Sequence, residues 1–254
     1  MSFLTIQLHL VYNGSEANLM AVIFYLSGTG NSMYAAKSIA QKLEQCRMEG
    51  ITGYLKVPYE VQDEVVGIVC PVYCMALPPV VEAFLQQVKM VPQYIFLVVT
   101  MGAMSGQALG QGKELLKQRE LRLSYGAQVA LPDNSIVFPS PQARQEKLLG
   151  LIARNIKNKY DNYQHLDRGF LWKYGGTAAG MWVLDKIKQF GKLSCADDKC
   201  VGCGICAEVC PAGNITMAAG KPAFGSECVH CFGCAHWCPQ NAISLGRLKP
   251  DQKT

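Results

Sequence analysis

The spacing of apolar residues changes several times along this chain, and each change marks an element. Ala21-Val22-Ile23-Phe24-Tyr25-Leu26 is an unbroken apolar run of strand length, as expected of a strand covered on both faces. Residues 32–43 switch to helical spacing, with Ala35, Ala36, Ile39, Ala40 and Leu43 along one side. Further strands are predicted at 53–57, 65–70, 95–100 and 127–131, and helices at 79–88, 107–121 and 142–159. Strands alternating with helical crossovers predict an α/β fold with a doubly wound five-stranded parallel sheet, for which 2-1-3-4-5 is a common strand order. Residues 161–194 break the pattern. They hold Tyr163, Phe170, Trp172, Tyr174, Trp182 and Phe190 around Gly175-Gly176, with a helix predicted from Thr177 to Phe190. An aromatic density of this kind suits a packed linker better than a flexible spacer.

The first strand and first helix are joined by Ser27-Gly28-Thr29-Gly30-Asn31-Ser32. Two glycines let the backbone curl its N–H groups into an anion-binding nest, and the helix N-terminus adds positive potential. Hydroxyls of Ser27, Thr29 and Ser32 and the amide of Asn31 complete a cup for a phosphate monoester. A Walker loop would require Gly-Lys-[Ser/Thr], and a dinucleotide fingerprint would place a glycine where Met33 stands. A generic Gly/Ser turn is the plainer alternative. The loop resembles the phosphate loop of flavodoxins, [Ser/Thr]-x-Thr-Gly-x-[Ser/Thr], and that resemblance implies FMN. It also implies that the loops after the third and fourth strands flank the isoalloxazine ring. Pro71, Val72 and Tyr73 would then lie on one side, with Tyr73 stacking, and Thr100, Met101 and Gly102 would face the polar edge. The 101–106 loop offers methionines and no aromatic, a departure from well-studied flavodoxins. Asn134, after the fifth strand, is a candidate to close over the site.

Nine of the twelve cysteines crowd into residues 195–238. Cys200, Cys203, Cys206 and Cys210 follow C-x2-C-x2-C-x3-C with Pro211 next, and Cys228, Cys231, Cys234 and Cys238 repeat it with Pro239 next, 28 residues later at every position. This is an internal duplication. Three thiolates two residues apart can wrap one face of a cubane, and the fourth, beyond a short helical turn, serves the other cluster. By that rule Cys200, Cys203, Cys206 and Cys238 hold one [4Fe–4S] cluster, and Cys228, Cys231, Cys234 and Cys210 hold the second. Zinc ribbons also use C-x2-C pairs, but they need neither a third cysteine at this spacing nor a terminal Cys-Pro. Residues 195–246 therefore resemble the bacterial two-cluster ferredoxins. Cys195 lies outside both motifs and is read as a packing residue. His230 and His236 are candidates to tune a cluster through hydrogen bonds to sulfur, or plain loop histidines.

Together these features resemble the fused flavodoxin–ferredoxin family of anaerobic bacteria and archaea. The resemblance implies a small α+β two-cluster ferredoxin domain behind a flavodoxin-like one. The domain reading is a 1–19 extension, a 20–160 flavodoxin-like FMN-binding domain, a 161–194 linker and a 195–254 ferredoxin domain. It implies electron transfer between FMN and two clusters, with redox proteins of unknown identity as donors or acceptors. A flavin-dependent reductase of a small quinone-like acceptor, and a ferredoxin with a flavin-free docking domain, are the alternatives. No general acid–base set or nucleophile stands out, so no catalytic residue is assigned.

Charge narrows the partners further. Residues 20–160 carry 14 basic and 10 acidic side chains, residues 161–194 carry 5 and 3, and residues 195–254 carry 5 and 5. No segment is basic enough for nucleic acid, and no apolar run reaches the ~20 residues of a membrane span. Residues 1–19 lack a basic n-region before Phe3-Leu4, and Met20 stands directly before the first strand. With no export signal, the expected compartment is the cytoplasm, where disulfides are rare and twelve cysteines need another use.

Overall fold

A computed structural model describes residues 21–43, 45–102, 105–132, 145–163, 193–195, 198–229 and 231–245. Residues 1–19, Asn134, His230 and the helix expected between Thr177 and Phe190 lie outside the described residues. Strands β1 (Ala21–Tyr25), β2 (Cys46–Gly50), β4 (Val65–Pro71), β6 (Tyr94–Met101) and β7 (Leu123–Ala130) form one sheet in the order β2-β1-β4-β6-β7. Every pairing in it is parallel. Counted along the chain this is the 2-1-3-4-5 order of the flavodoxin-like fold. Two-residue strands β3 (Glu60–Val61) and β5 (Lys89–Met90) pair separately.

The unbroken apolar runs become strands because both faces are covered. Along β1, Val22 and Phe24 face a core with helices α3 (Pro79–Gln87) and α4 (Ala108–Lys117), while Ala21 and Ile23 face one with α1 (Asn31–Ala40) and α5 (Glu146–Lys157). Alternation along a strand sends neighbouring side chains to opposite layers. Two glycines allow close approach. A β-carbon on Gly112 of α4 would stand 2.4 Å from Leu97, and one on Gly67 would stand 2.0 Å from the ring of its cross-strand partner Phe96. Gly67→Ala therefore destabilises by about 1–3 kcal/mol through overpacking. Urea unfolding should show the loss, and Phe96→Leu in the same chain should recover part of it.

One expected strand is corrected. Residues 53–57 are not extended: they fall at helix α2 (Ile51–Lys56) and its end, and the second strand is Cys46–Gly50. β2 is the sheet edge, so only Cys46 and Met48 pack inward. Arg47 turns to Asp63 (2.6 Å) and pairs with Glu49. Tyr54, instead of extending a strand, buries its ring from α2 against Phe24 and Phe84. Its hydroxyl donates to Tyr59 O and accepts from Lys89 N, both at 2.9 Å.

The 28-residue period carries through the C-terminal unit. Helices α6 (Ile205–Glu208) and α7 (Gly233–His236) are counterparts, as are strands β9 (Ile215–Ala218) and β11 (Ile243–Leu245). β8 (Leu193–Cys195) matches β10 (Lys221–Phe224), and the antiparallel pairs are β9 with β10 and β8 with β11. The β9–β10 turn, Ala219-Gly220, has both residues at positive φ, as the tight hairpin turn of type I′ demands. The unit's core is small: Cys206, Ile215, Cys234, Ala235 and Ile243.

Candidate functional site

The cysteines sort into two groups in space. One cavity is lined by Cys210, Cys228, Cys231 and Cys234 with Leu193, Ile215 and Phe232. A second is lined by Cys200, Cys203, Cys206 and Cys238, with Cys195 also at its wall. The fourth cysteine of each motif thus lies with the first three of the other. The thiols' electrostatic neighbours fall into the same groups. Burial first, then Cys231, Cys228 and Cys210, pushes Cys234 up to about 12. Cys206 is raised by burial and then by Cys203 and Cys200.

Local folding explains the arrangement. Gly204 and Phe232, both at positive φ, start α6 and α7, and each short helix presents its central cysteine, Cys206 or Cys234, to the interior. The chain then turns back through Gly213 and Asn241, again both at positive φ. This turn brings the Asn214 N–H to Cys210 Sγ and the Ala242 N–H to Cys238 Sγ, each at 3.3 Å. N–H donors stabilise negative charge on sulfur. Among the described residues, no three His, Cys, Asp or Glu side chains converge as ligands of a single ion would. Four thiols spread around a cavity instead suit a polynuclear cluster, so the donor set fits iron–sulfur.

The loop at residues 27–32 lies at the carboxyl end of β1, beside that of β4, where strand order reverses. Gly30 adopts φ +101 and starts α1, and the Gly30 N–H donates to Ser27 Oγ at 3.1 Å. The resulting curl at a helix N-terminus suits a phosphate. Two cup side chains are committed to the scaffold. Asn31 Nδ2 donates to Pro132 O (2.7 Å), and buried Ser32 Oγ lies 2.8 Å from Thr100 Oγ1. An anion at this loop would therefore be left to the backbone N–H groups not already engaged and to the start of the loop.

The loops expected to flank a flavin ring touch one another. The Val72 N–H donates to Thr100 O (2.8 Å), and the Gln107 N–H to Met75 O (3.0 Å). Tyr73 and Ala76 exchange two 3.0 Å backbone hydrogen bonds around Cys74 and Met75, both at positive φ. Gly106 closes on Met75 at a distance that leaves no room for a β-carbon. Pro71, Val72, Met101 and Gly102 are partly buried along this seam, and Thr100 is buried. Burial drives the Cys70 thiol well above its usual range and raises that of Cys74.

Sequence reasoning missed the contact between the two halves of the chain. Trp237 Nε1 donates to Gly28 O at 3.1 Å. A β-carbon on Gly28 would stand 2.9 Å from Cys231 Cβ and 3.0 Å from its Sγ, and one on Gly233 would stand 2.7 Å from Gly28 O. Burial, and after it the neighbouring Cys231 thiol, raise the half-buried Tyr73 hydroxyl well above its usual range. Trp237 follows Cys234 by three residues, but nothing local in the sequence marks a partner 209 positions away.

Residues 199–243 match the family of the 4Fe-4S dicluster domain. No curated protein matches the chain. Among solved structures it is similar to a flavodoxin of Streptococcus pneumoniae TIGR4, with 15% identity, TM-score 0.40, and 55% of this chain and 98% of that one covered. It is also similar to two-electron reduced Megasphaera elsdenii flavodoxin, at 24% identity and TM-score 0.37 over 53% and 98%. A Lactobacillus acidophilus NCFM flavoprotein in complex with FMN gives 10% identity and TM-score 0.33 over 42% and 91%. Strand order and parallel register, rather than these scores, carry the fold assignment. No helix among the described residues is long and apolar enough to cross a membrane.

Proposed function

We propose that this flavodoxin–ferredoxin fusion, an electron-transfer protein, relays electrons between FMN and two [4Fe–4S] clusters. The observation that carries the reading is the pair of cysteine-lined cavities, one of which abuts the phosphate loop. Cys200, Cys203, Cys206 and Cys238 hold one cluster, and Cys210, Cys228, Cys231 and Cys234 the other. The 20–160 domain holds FMN, its phosphate at residues 27–32 and its ring beside Tyr73 and the 100–102 segment. When bound, FMN exchanges electrons one or two at a time and each cluster exchanges one, so together they can split or merge a two-electron couple. The chain's own residues bind, orient and tune. Gly30 shapes the loop, Asn31 and Ser32 brace it on Pro132 and Thr100, and the Asn214 and Ala242 N–H groups face cluster sulfurs. The donor and acceptor are redox proteins, and the compartment is the cytoplasm.

One observation favours a second reading, a ferredoxin with a flavin-free docking domain. The 71–76 and 105–107 segments are hydrogen-bonded to each other where a ring would insert. Anaerobic purification, with iron, sulfide and flavin measured per chain, separates the two. The relay expects about eight irons, about eight sulfides and one FMN. Full iron with no flavin, even after reconstitution, supports the docking reading and sinks the relay.

A further inference from the structure

The two halves of the duplicated unit share their cysteines but not their surroundings. Counting 28 residues back, Gly233 corresponds to Ile205 and Trp237 to Val209. Both second-half residues touch Gly28 of the phosphate loop. At Gly233 even one added carbon meets the Gly28 carbonyl at 2.7 Å, so the isoleucine of the first half could not occupy that place. Valine in place of Trp237 would offer no N–H to the carbonyl. Other contacts fall on the same group. Tyr73 lies within electrostatic range of Cys231, and the Lys56 ammonium lies 3.9 Å from where a Gly213 β-carbon would stand, in the turn after Cys210. The first half faces away, with Cys203 exposed and Val201 65% exposed.

We infer that the half carrying Cys210, Cys228, Cys231 and Cys234 is keyed to the phosphate loop by Gly28, Gly233 and Trp237. This inference rests on the FMN reading above. It makes Trp237 a positioning residue, Cys231 the cluster ligand nearest the flavin, and the Cys200–Cys206 and Cys238 set the outward terminal that meets the partner redox protein. A consequence is electrostatic. An anion in the loop lies one glycine's thickness from Cys231 and disfavours adding an electron to the cluster there, lowering its midpoint potential. The outward cluster is screened by distance and solvent.

The test is an EPR-monitored redox titration of the anaerobic, iron-loaded full chain, with and without FMN. Cys231→Ser and Cys203→Ser assign the two cluster signals by which one each removes or alters. FMN is expected to move the Cys231-linked midpoint to lower potential and leave the Cys203-linked one in place. Trp237→Phe, which removes the indole N–H, should shrink that shift, and Gly233→Val should abolish it, with iron and sulfide content unchanged in both. A shift on the Cys203-linked signal alone, equal shifts on both, or a full shift retained in both variants overturns the inference. If the native chain does not quench flavin fluorescence on titration with FMN, it binds none, and the relay falls together with this inference. FMN binding without any midpoint shift overturns only the latter.

Discussion

Cys210→Ala removes the same cluster as Cys231→Ala. Each variant is expected to keep about four of about eight irons, and the Cys210→Ala/Cys231→Ala chain loses no more than either alone. Cys210→Ala/Cys238→Ala, which strikes one cysteine in each motif, should lose essentially all. The reason is spatial, because Cys210 lines the cavity of Cys228, Cys231 and Cys234, while Cys238 lines that of Cys200, Cys203 and Cys206. Losses at one site do not add once that site is gone, whereas losses at separate sites do. Iron and sulfide analysis with EPR of the reduced proteins reads the result. If Cys210→Ala instead spares the Cys231-linked signal and removes the Cys203-linked one, each motif serves its own cluster and the crossed assignment fails.

Stripping the iron should unfold residues 193–245 and leave the five-stranded sheet standing. Among the described residues, the buried core of the C-terminal unit is Cys206, Ile215, Cys234, Ala235 and Ile243, two of them cysteines, with partly buried side chains such as Leu193 and Phe224 packed against it. Ordering a residue costs about 1.5 kcal/mol, so a segment this long cannot stand on so few apolar side chains without covalent or metal staples. No disulfide joins the twelve cysteines among the described residues, and in the proposed reading the clusters supply the difference. The sheet, by contrast, has an extensive core on each face that contains none of the eight motif cysteines. Chelation of the oxidised protein, followed by limited proteolysis, is expected to release fragments ending within 193–245 while the region from β1 to α5 resists. Simultaneous digestion of both parts would show that the sheet depends on the docked unit. Continued resistance of 193–245 would show that its packing suffices without metal.

Features with a local physical cause were legible in the sequence. β4 and β6 announced themselves because burial on both faces demands continuous apolar runs, and the glycines of the phosphate loop because the curl requires positive φ at Gly30. The cysteine spacing was readable because cluster geometry is rigid and its ligands are close in sequence. β2 was missed because an edge strand needs only Cys46 and Met48 inward, a signal weaker than the Tyr54-Leu55 run that belongs to a helix. The sequence expectation for Tyr73 is a flavin ring; its electrostatic neighbour in the structure is Cys231. Neither that proximity nor the Trp237–Gly28 hydrogen bond has a local pattern, since each is decided by how two separately folded surfaces meet.

The exchange of fourth cysteines between the halves also governs when the protein can be finished on the ribosome. The cavity of Cys200, Cys203 and Cys206 lacks its last wall until Cys238 has emerged, and that of Cys228, Cys231 and Cys234 borrows Cys210 from a stretch made earlier. A nascent chain halted between the repeats would therefore display four thiols that belong to two different destinations. On the two-cluster assignment proposed above, neither half could be matured alone, and a gene cut between the repeats would encode two incomplete sites rather than one good cluster on each piece.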